Sequence, residues 1–277
     1  MPPSPDFLHS SKDCLVFEFR NKTALITGAS SGIGQVFARQ LARLGTHVIL
    51  VARNETALRA LAEELQAEFR ITASVVPADL SQPDAAQTIG NATRQQGLQV
   101  DLLINNAGFL THGHFETLPP EREQAQVMVN TVSMVTLCRE YLPGMLERKS
   151  GGIINVASIA GFQPIPYMAT YAATKAFVIS FSVALQEECR GRHVHVLTLC
   201  PGTTSTHLFD AAPLAALGAP RSSEQVVATA IRAFQKGRSL VIDGTKNSLL
   251  SHGPRLIPKW FAARCAGGAV HPKKGEH

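Results

Sequence analysis

An alternation constrains this chain more than any other feature. Short runs, apolar at nearly every position, are separated by longer stretches with apolar residues at helical spacing. The runs are Thr23–Thr27, Val48–Val51, the pair Val75 and Val76, Leu102–Ile104, Gly152–Val156, Val194–Leu199 and Leu240–Ile242. Between the first two, Ile33, Phe37, Leu41 and Leu44 recur at three and four residues; after the second, Leu58, Leu61, Leu65 and Phe69 do the same. A strand apolar on both sides must be covered on both faces, and parallel strands need crossovers long enough to hold a helix. The pattern predicts an α/β fold, a doubly wound parallel sheet of seven strands with helices on both faces.

Composition agrees. Of 277 residues, 45% are hydrophobic and 17% charged, enough for a real core and unlike a disordered chain. No uninterrupted apolar run reaches the roughly 18 residues of a spanning helix, and Met1–Asp6 has no basic segment leading into an apolar one. The five cysteines (Cys14, Cys138, Cys189, Cys200, Cys265) are far apart and include no Cys-x-x-Cys pair. That spacing suggests neither a disulfide framework nor a metal site, and the expected home is the reducing cytoplasm.

The net charge of +5 is uneven. From Arg238 onward there are seven Lys or Arg and two Asp or Glu, leaving nineteen of each in the rest of the chain. A neutral body argues against nucleic acid as a partner. The expected organisation is an N-terminal extension over 1–18, a single domain over 19–245 and a basic amphipathic tail over 246–277. Residues 203–222, rich in Thr, Ala and Pro, read as a loop beside a site, with an apolar lid (Leu208, Phe209, Ala211–Leu214, Leu217).

The first strand ends in Thr27-Gly28-Ala29-Ser30-Ser31-Gly32-Ile33-Gly34, which opens a helix. Glycines let backbone approach a pyrophosphate, and the helix N-terminus offers N–H donors and positive partial charge. A plain strand-to-helix turn is the alternative, and the strand–helix context favours a nucleotide and a Rossmann-like sheet. Arg53 ends the second strand, nineteen residues after Gly34, with no acidic residue at 51–54. A carboxylate there would bind a ribose 2′-OH; an arginine can pair with a 2′-phosphate, which favours NADP(H) over NAD(H), a solvated surface arginine being the alternative.

Asp79-Leu80 and Asn105-Asn106-Ala107-Gly108 follow the third and fourth strands, where ligands bind in such sheets. Tyr171 and Lys175 stand at i and i+4 on one helical face, and Ser158 lies thirteen residues before Tyr171. Bringing a phenol from its ordinary pKa near 10 to about 7 takes about 4 kcal/mol. One cation at ~4 Å, with an effective dielectric of ~20, supplies about that much.

Thr27–Gly34, Asp79, Asn105–Gly108, Asn130, Ser158, Tyr171–Lys175 and Pro201-Gly202 together resemble the single-domain short-chain dehydrogenase/reductases, in order and spacing from about Phe19 to Val241. Val51–Asn54, Tyr141–Met145 and Ala173–Phe177 further resemble a bacterial branch of broad or unassigned specificity. The resemblance implies a catalytic set of Asn130, Ser158, Tyr171 and Lys175. Tyr171 would give a proton to a substrate carbonyl, and Lys175 would tune it and bind the nicotinamide ribose. Ser158 would hold the carbonyl oxygen, and Asn130 a relay water. Cofactor contacts would come from Gly28, Ser30, Ser31, Gly32, Ile33, Gly34 and Arg53. Others would come from Asp79, Leu80, Asn106 (adenosine ribose), Ala107, Gly108, Pro201, Gly202, Thr204 and Thr206.

The implied function is an NADPH-dependent carbonyl reductase of hydrophobic substrates, a homodimer or homotetramer through helices at 122–147 and 170–190. The alternatives are a non-catalytic NADP-binding sensor or scaffold, and epimerase or dehydratase chemistry. His112 and His114 sit at the expected rim without a third metal ligand, and Cys138 and Cys200 read as buried small hydrophobes. In the tail, Leu256, Ile257, Trp260, Phe261 and Cys265 recur at near-helical spacing, with helix expected after Pro258. Two readings of it stay open: packing on the body or a partner subunit, or a weak peripheral contact with anionic membrane.

Overall fold

The computed structural model describes residues 17–205, 220–253 and 257–272. Seven strands among them form one parallel sheet: β1 (Thr23–Thr27), β2 (His47–Ala52), β3 (Ala73–Pro77), β4 (Leu102–Asn105), β5 (Gly151–Val156), β6 (Val194–Cys200) and β7 (Leu240–Ile242). Their order, β3-β2-β1-β4-β5-β6-β7, reverses between β1 and β4. That reversal leaves a crevice at the carboxyl ends of the strands, where open α/β sheets bind ligands.

Why these runs pair so firmly follows from their alternation of faces. Ile49, Leu25, Leu103, Ile153 and Val196 are register partners in one row across five strands, each fully buried. The row packs against α3 (Ala85–Gln95), α5 (Ser133–Glu147) and α6 (Ala169–Cys189), through residues such as Ile89, Leu137 and Val178. Their neighbours Ile26, Leu50, Ile104, Ile154 and Leu197 point the other way. They meet Phe37 of α1 (Gly32–Arg43), Leu61 of α2 (Glu55–Phe69) and Phe234 of α7 (Ser223–Gln235). Burying each such side chain is worth about 1.5–3 kcal/mol, so slipping one strand by a residue would exchange two cores at once. Gly152 on β5 shows how tight the second face is: a Cβ there would lie 2.2 Å from the Phe234 ring.

The helix ends have local causes. The Asn54 side chain accepts from the Ala57 N–H at 3.0 Å to start α2. Ser222 and Gln225 form a reciprocal capping box at α7. The stretch expected as helix over 122–147 is three pieces: α4 (Pro120–Val127), a π-helical turn over Met128–Val132, and α5. Two helices follow β7: α8 (Thr245–His252) and α9 (Lys259–Ala269), the latter starting directly after Pro258.

The Phe17 ring packs edge-on against Phe19 and Phe234, both at 5.2 Å, so ordered packing begins before residue 19. Thr206, the apolar lid residues and Leu256 lie outside the described residues. The stems of the 203–222 segment are paired: Ser205 N–H donates to the Arg221 carbonyl, and Arg221 N–H to that of Thr203, both at 3.0 Å. Arg221 also pairs with the fully buried Asp243 at 2.5 Å.

Candidate active site

A cleft of about 900 Å³ opens over the crevice between β1 and β4. Its lining brings together Gly28, Ser30, Ser31, Gly32, Ile33, Arg53, Asp79, Leu80, Asn106, Ala107 and Gly108 on one side. Ser158, Tyr171, Lys175, Pro201, Gly202 and Thr204 complete it. Gly34 and Asn130 stand just behind the lining and shape it.

The turn after β1 is built for close backbone approach. Gly28 and Gly32 hold φ of +65° and +55°, in the left-handed region. A Cβ on Gly34 would lie 2.2 Å from the Gly28 carbonyl oxygen, so only glycine lets α1 begin there. No side chain caps α1 and its first turn carries no acidic residue. Its leading N–H groups are therefore left for an anion at the positive end of the helix. These features fit the pyrophosphate of a dinucleotide.

Thr27 and Asn106 join this turn to the loop after β4. Thr27 Oγ1 accepts from the backbone N–H groups of Asn106 and Ala107, both at 3.0 Å. The Asn106 amide donates to the Thr27 carbonyl at 2.9 Å. The expected ribose contact of Asn106 thus falls to what its amide nitrogen does not use. Arg53 is exposed at the cleft edge and makes no ion pair within 4 Å among the described residues. The Asp79 carboxyl is held below the usual carboxylate range, chiefly by the Ser81 N–H at 3.0 Å and to a smaller degree by the Arg53 charge.

Tyr171 and Lys175 project from α6 onto the opposite wall, 2% and 4% exposed. Burial pushes the Tyr171 phenol up to about 12, partly offset by a hydrogen bond with Ser158. Burial also pulls Lys175 down to about 8. The Tyr171 shift runs opposite to the lowering that the charge arithmetic gives a phenol beside a cation: burial is its largest cause, and Tyr171 keeps its proton at neutral pH. Lys175 Nζ donates to the Val156 carbonyl at 2.9 Å and stands 5.8 Å from the Tyr171 ring centre. Ser158 Oγ accepts from the Ala160 N–H at 3.1 Å.

Asn130 lies in the π-helical turn. Its Oδ1 accepts from Phe109 N–H at 3.1 Å; its Nδ2 donates to the Phe109 carbonyl at 3.0 Å and to Thr174 Oγ1 at 3.1 Å. The side chain thus clamps the loop after β4 to α6. Motif reasoning missed Phe109, Arg122 and Val129, which also line the cleft, the Arg122 guanidinium over the Phe109 ring at 5.4 Å. It also missed Glu123, which bonds both Thr111 and Thr170, the residue before Tyr171. Only an acidic residue in the first turn of a helix marked that position in sequence.

A family model described as short chain dehydrogenase matches residues 22–215. Among curated proteins, a very-long-chain 3-oxoacyl-CoA reductase of Phaeosphaeria nodorum is 32% identical over 266 residues, 94% of this chain and 76% of that protein. Its counterpart in Laccaria bicolor is 38% identical over 175 residues; the match covers 62% of this chain and spans about half, 52%, of that protein. Among solved structures, a 7beta-hydroxysteroid dehydrogenase superposes with a TM-score of 0.81 at 29% identity, covering 91% of this chain and 98% of the other. A short-chain dehydrogenase from Sphingobium yanoikuyae in complex with NADPH gives 0.76 at 30% identity, covering 84% and 93%.

Proposed function

This chain belongs to the short-chain dehydrogenase/reductase family of oxidoreductases, and from that membership we propose that it is an NADPH-dependent reductase of hydrophobic carbonyl compounds. One observation carries the reading. Ser158, Tyr171 and Lys175 share a wall of the cleft into which the uncapped N-terminus of α1 opens.

The N–H groups of Gly32 and Ile33 and the Ser30 hydroxyl would hold the pyrophosphate, Arg53 a 2′-phosphate, Asp79 and Leu80 the adenine, and Pro201, Gly202 and Thr204 the nicotinamide end. A nicotinamide held there would supply hydride chemistry at the carbonyl carbon. Tyr171 then gives its phenolic proton to the carbonyl oxygen. A phenol near 12 holds that proton until negative charge develops on the oxygen, as a proton donor in the reducing direction must. The Ser158 hydroxyl accepts from Ala160 through its oxygen and bonds Tyr171, and it would turn its proton to the same developing charge. Lys175, anchored on the Val156 carbonyl, keeps further donors for ribose hydroxyls and for restoring the Tyr171 proton. Asn130 fixes the distance between these two walls through Phe109 and Thr174.

The relatives named for 3-oxoacyl-CoA and hydroxysteroid substrates act on carbonyls or alcohols set in large apolar bodies, which supports a hydrophobic substrate here. The reading includes a homodimer or homotetramer, and a cytoplasmic enzyme with a reversible membrane contact through its tail. NADPH oxidation over a panel of ketones and aldehydes tests it, with Tyr171→Phe alongside. Turnover by the intact enzyme should fall at least ~100-fold in the variant while NADPH binding stays within about twofold. A variant keeping more than about a tenth of the activity overturns the role of Tyr171.

A further inference from the structure

Tyr171 and Lys175 each follow a threonine, and each threonine is tied to the stretch of chain that carries Asn130. Thr174, just before Lys175, accepts from Asn130 Nδ2 at 3.1 Å. Thr170, just before Tyr171, donates to Glu123 Oε2. The two threonines are about one turn apart on α6. Glu123 and Asn130 are about two turns apart, on α4 and the π-helical turn that continues it.

The far ends of both side chains meet the loop after β4. Asn130 bonds the Phe109 backbone in both directions. Glu123 Oε1 accepts from Thr111 Oγ1 at 2.5 Å. Thr111 is buried and also accepts from Nε2 of the fully buried Gln126 at 3.0 Å. Leu110, between the two tied residues, is buried in one small cluster with Ala160, Met168, Tyr171 and Val270, the residue just past α9. No side chain caps α6 at Met168, so its opening turn takes its hold from the side. Glu123 therefore makes beside Tyr171 the bridge that Asn130 makes beside Lys175, between the same loop and the same helix.

We infer that Glu123 is a positioning residue for catalysis: through Thr170 and Thr111 it fixes where the Tyr171 phenol stands relative to the loop that walls the cleft. The inference rests on the carbonyl-reductase reading of the same cleft. Glu123 is not among the residues lining that cleft, so it acts through its two threonines rather than on substrate or cofactor. The role calls for acceptor oxygens facing two hydroxyls, not for a charge felt at the phenol, whose proton is governed by burial and by Ser158.

Steady-state kinetics of the full-length enzyme, with NADPH and a ketone it reduces, tests the bridge. Glu123→Leu and Thr170→Val should each lower kcat about ten- to hundredfold, as displacing a reacting group by about an ångström does. KM for the ketone and NADPH affinity should stay within about threefold. The double variant should be little slower than either single one, because both break the same bridge. Glu123→Gln keeps one acceptor oxygen and can donate to the other threonine, so it should restore kcat to within about threefold, with the pH profile unchanged. If Glu123→Leu fails to fold, Thr170→Val, which keeps the shape of its side chain, decides together with Glu123→Gln.

An active intact enzyme whose kcat is unchanged by Thr170→Val overturns the positioning role alone. So does a double variant whose losses multiply. A Glu123→Gln enzyme as slow as Thr170→Val, or one with a displaced pH profile, also overturns it, since the charge and not the bridge would then be at work. An intact enzyme that reduces no carbonyl overturns both this role and the functional reading beneath it.

Discussion

Lys175 keeps a buried cation with one protein carbonyl as hydrogen-bond partner, and that burden should be visible in stability. Its pKa is about 8 in the folded chain, against 10.5 for a free side chain. Between those values the unfolded chain binds more protons, so stability should rise with pH across the window. The full shift corresponds to about 3 kcal/mol. Lys175→Met should therefore be the more stable protein at pH 7, and its advantage should shrink as pH climbs from 8 towards 10. Denaturant melts of both proteins at several pH values measure the difference; an advantage that does not vary with pH sinks the account. Taking the difference also removes Tyr171, whose raised pKa costs stability only above pH 10. Arg53 offers a second residue-scale prediction. A charge-assisted contact of about 1.5–3 kcal/mol gives a preference for NADPH over NADH of about 10- to 150-fold. Arg53→Asp should reverse it by repelling the phosphate and accepting from a free 2′-OH. Competitive titration with both cofactors checks this, and equal affinity of the unaltered protein for the two refutes it. Residue types and spacing revealed Tyr171, Lys175 and Arg53 because helical periodicity and the strand–turn–helix context determine where they face. Spacing did not reveal the burial that dominates the Tyr171 proton, because burial is created by partners such as Val270 and Met168, one of them about a hundred residues away.

At the scale of elements, α4 to α6 do two jobs. Their inner faces carry Asn130, Tyr171 and Lys175; their outer faces leave Val127, Val132, Phe177 and Val183 between 38% and 45% exposed. Phe177 stacks on Phe181 at 6.0 Å and one turn apart, a flat apolar ridge on a surface helix. If a second copy covers that ridge, Phe177→Glu should shift the protein towards monomer, because a buried unpaired carboxylate costs several kcal/mol. Light scattering on a size-exclusion column reads the mass directly. A variant that elutes at the unaltered mass places the interface elsewhere. The strands and the first two helices were legible to within a residue or two, since their apolar runs end at Gly, Asn or polar clusters. The π-helical turn at Met128–Val132 was not: an extra residue per turn leaves the apolar spacing almost unchanged, so periodicity reads straight through it.

Across the whole molecule, the basic excess shares one end of the chain with two exposed rings, Trp260 and Phe261. In α9, Ala262 is buried while Trp260 and Phe261 are 69% and 45% exposed, with Lys259 and Arg264 on the same helix. No described helix is long and apolar enough to cross a membrane. Each basic residue near an anionic surface contributes about 1 kcal/mol, and salt screens that attraction over about 10 Å at 0.1 M. The protein should therefore sediment with phosphatidylserine vesicles at low salt and release at high salt. Trp260→Ser with Phe261→Ser should weaken the binding. A protein that stays in the supernatant at low salt assigns these rings to another partner. One further consequence follows from where Val270 lies. It joins the Tyr171 cluster from a segment that contributes to neither core of the sheet and to none of the glycine turn. Loss of that segment would leave both sheet cores and the glycine turn complete while opening the small cluster that holds Tyr171.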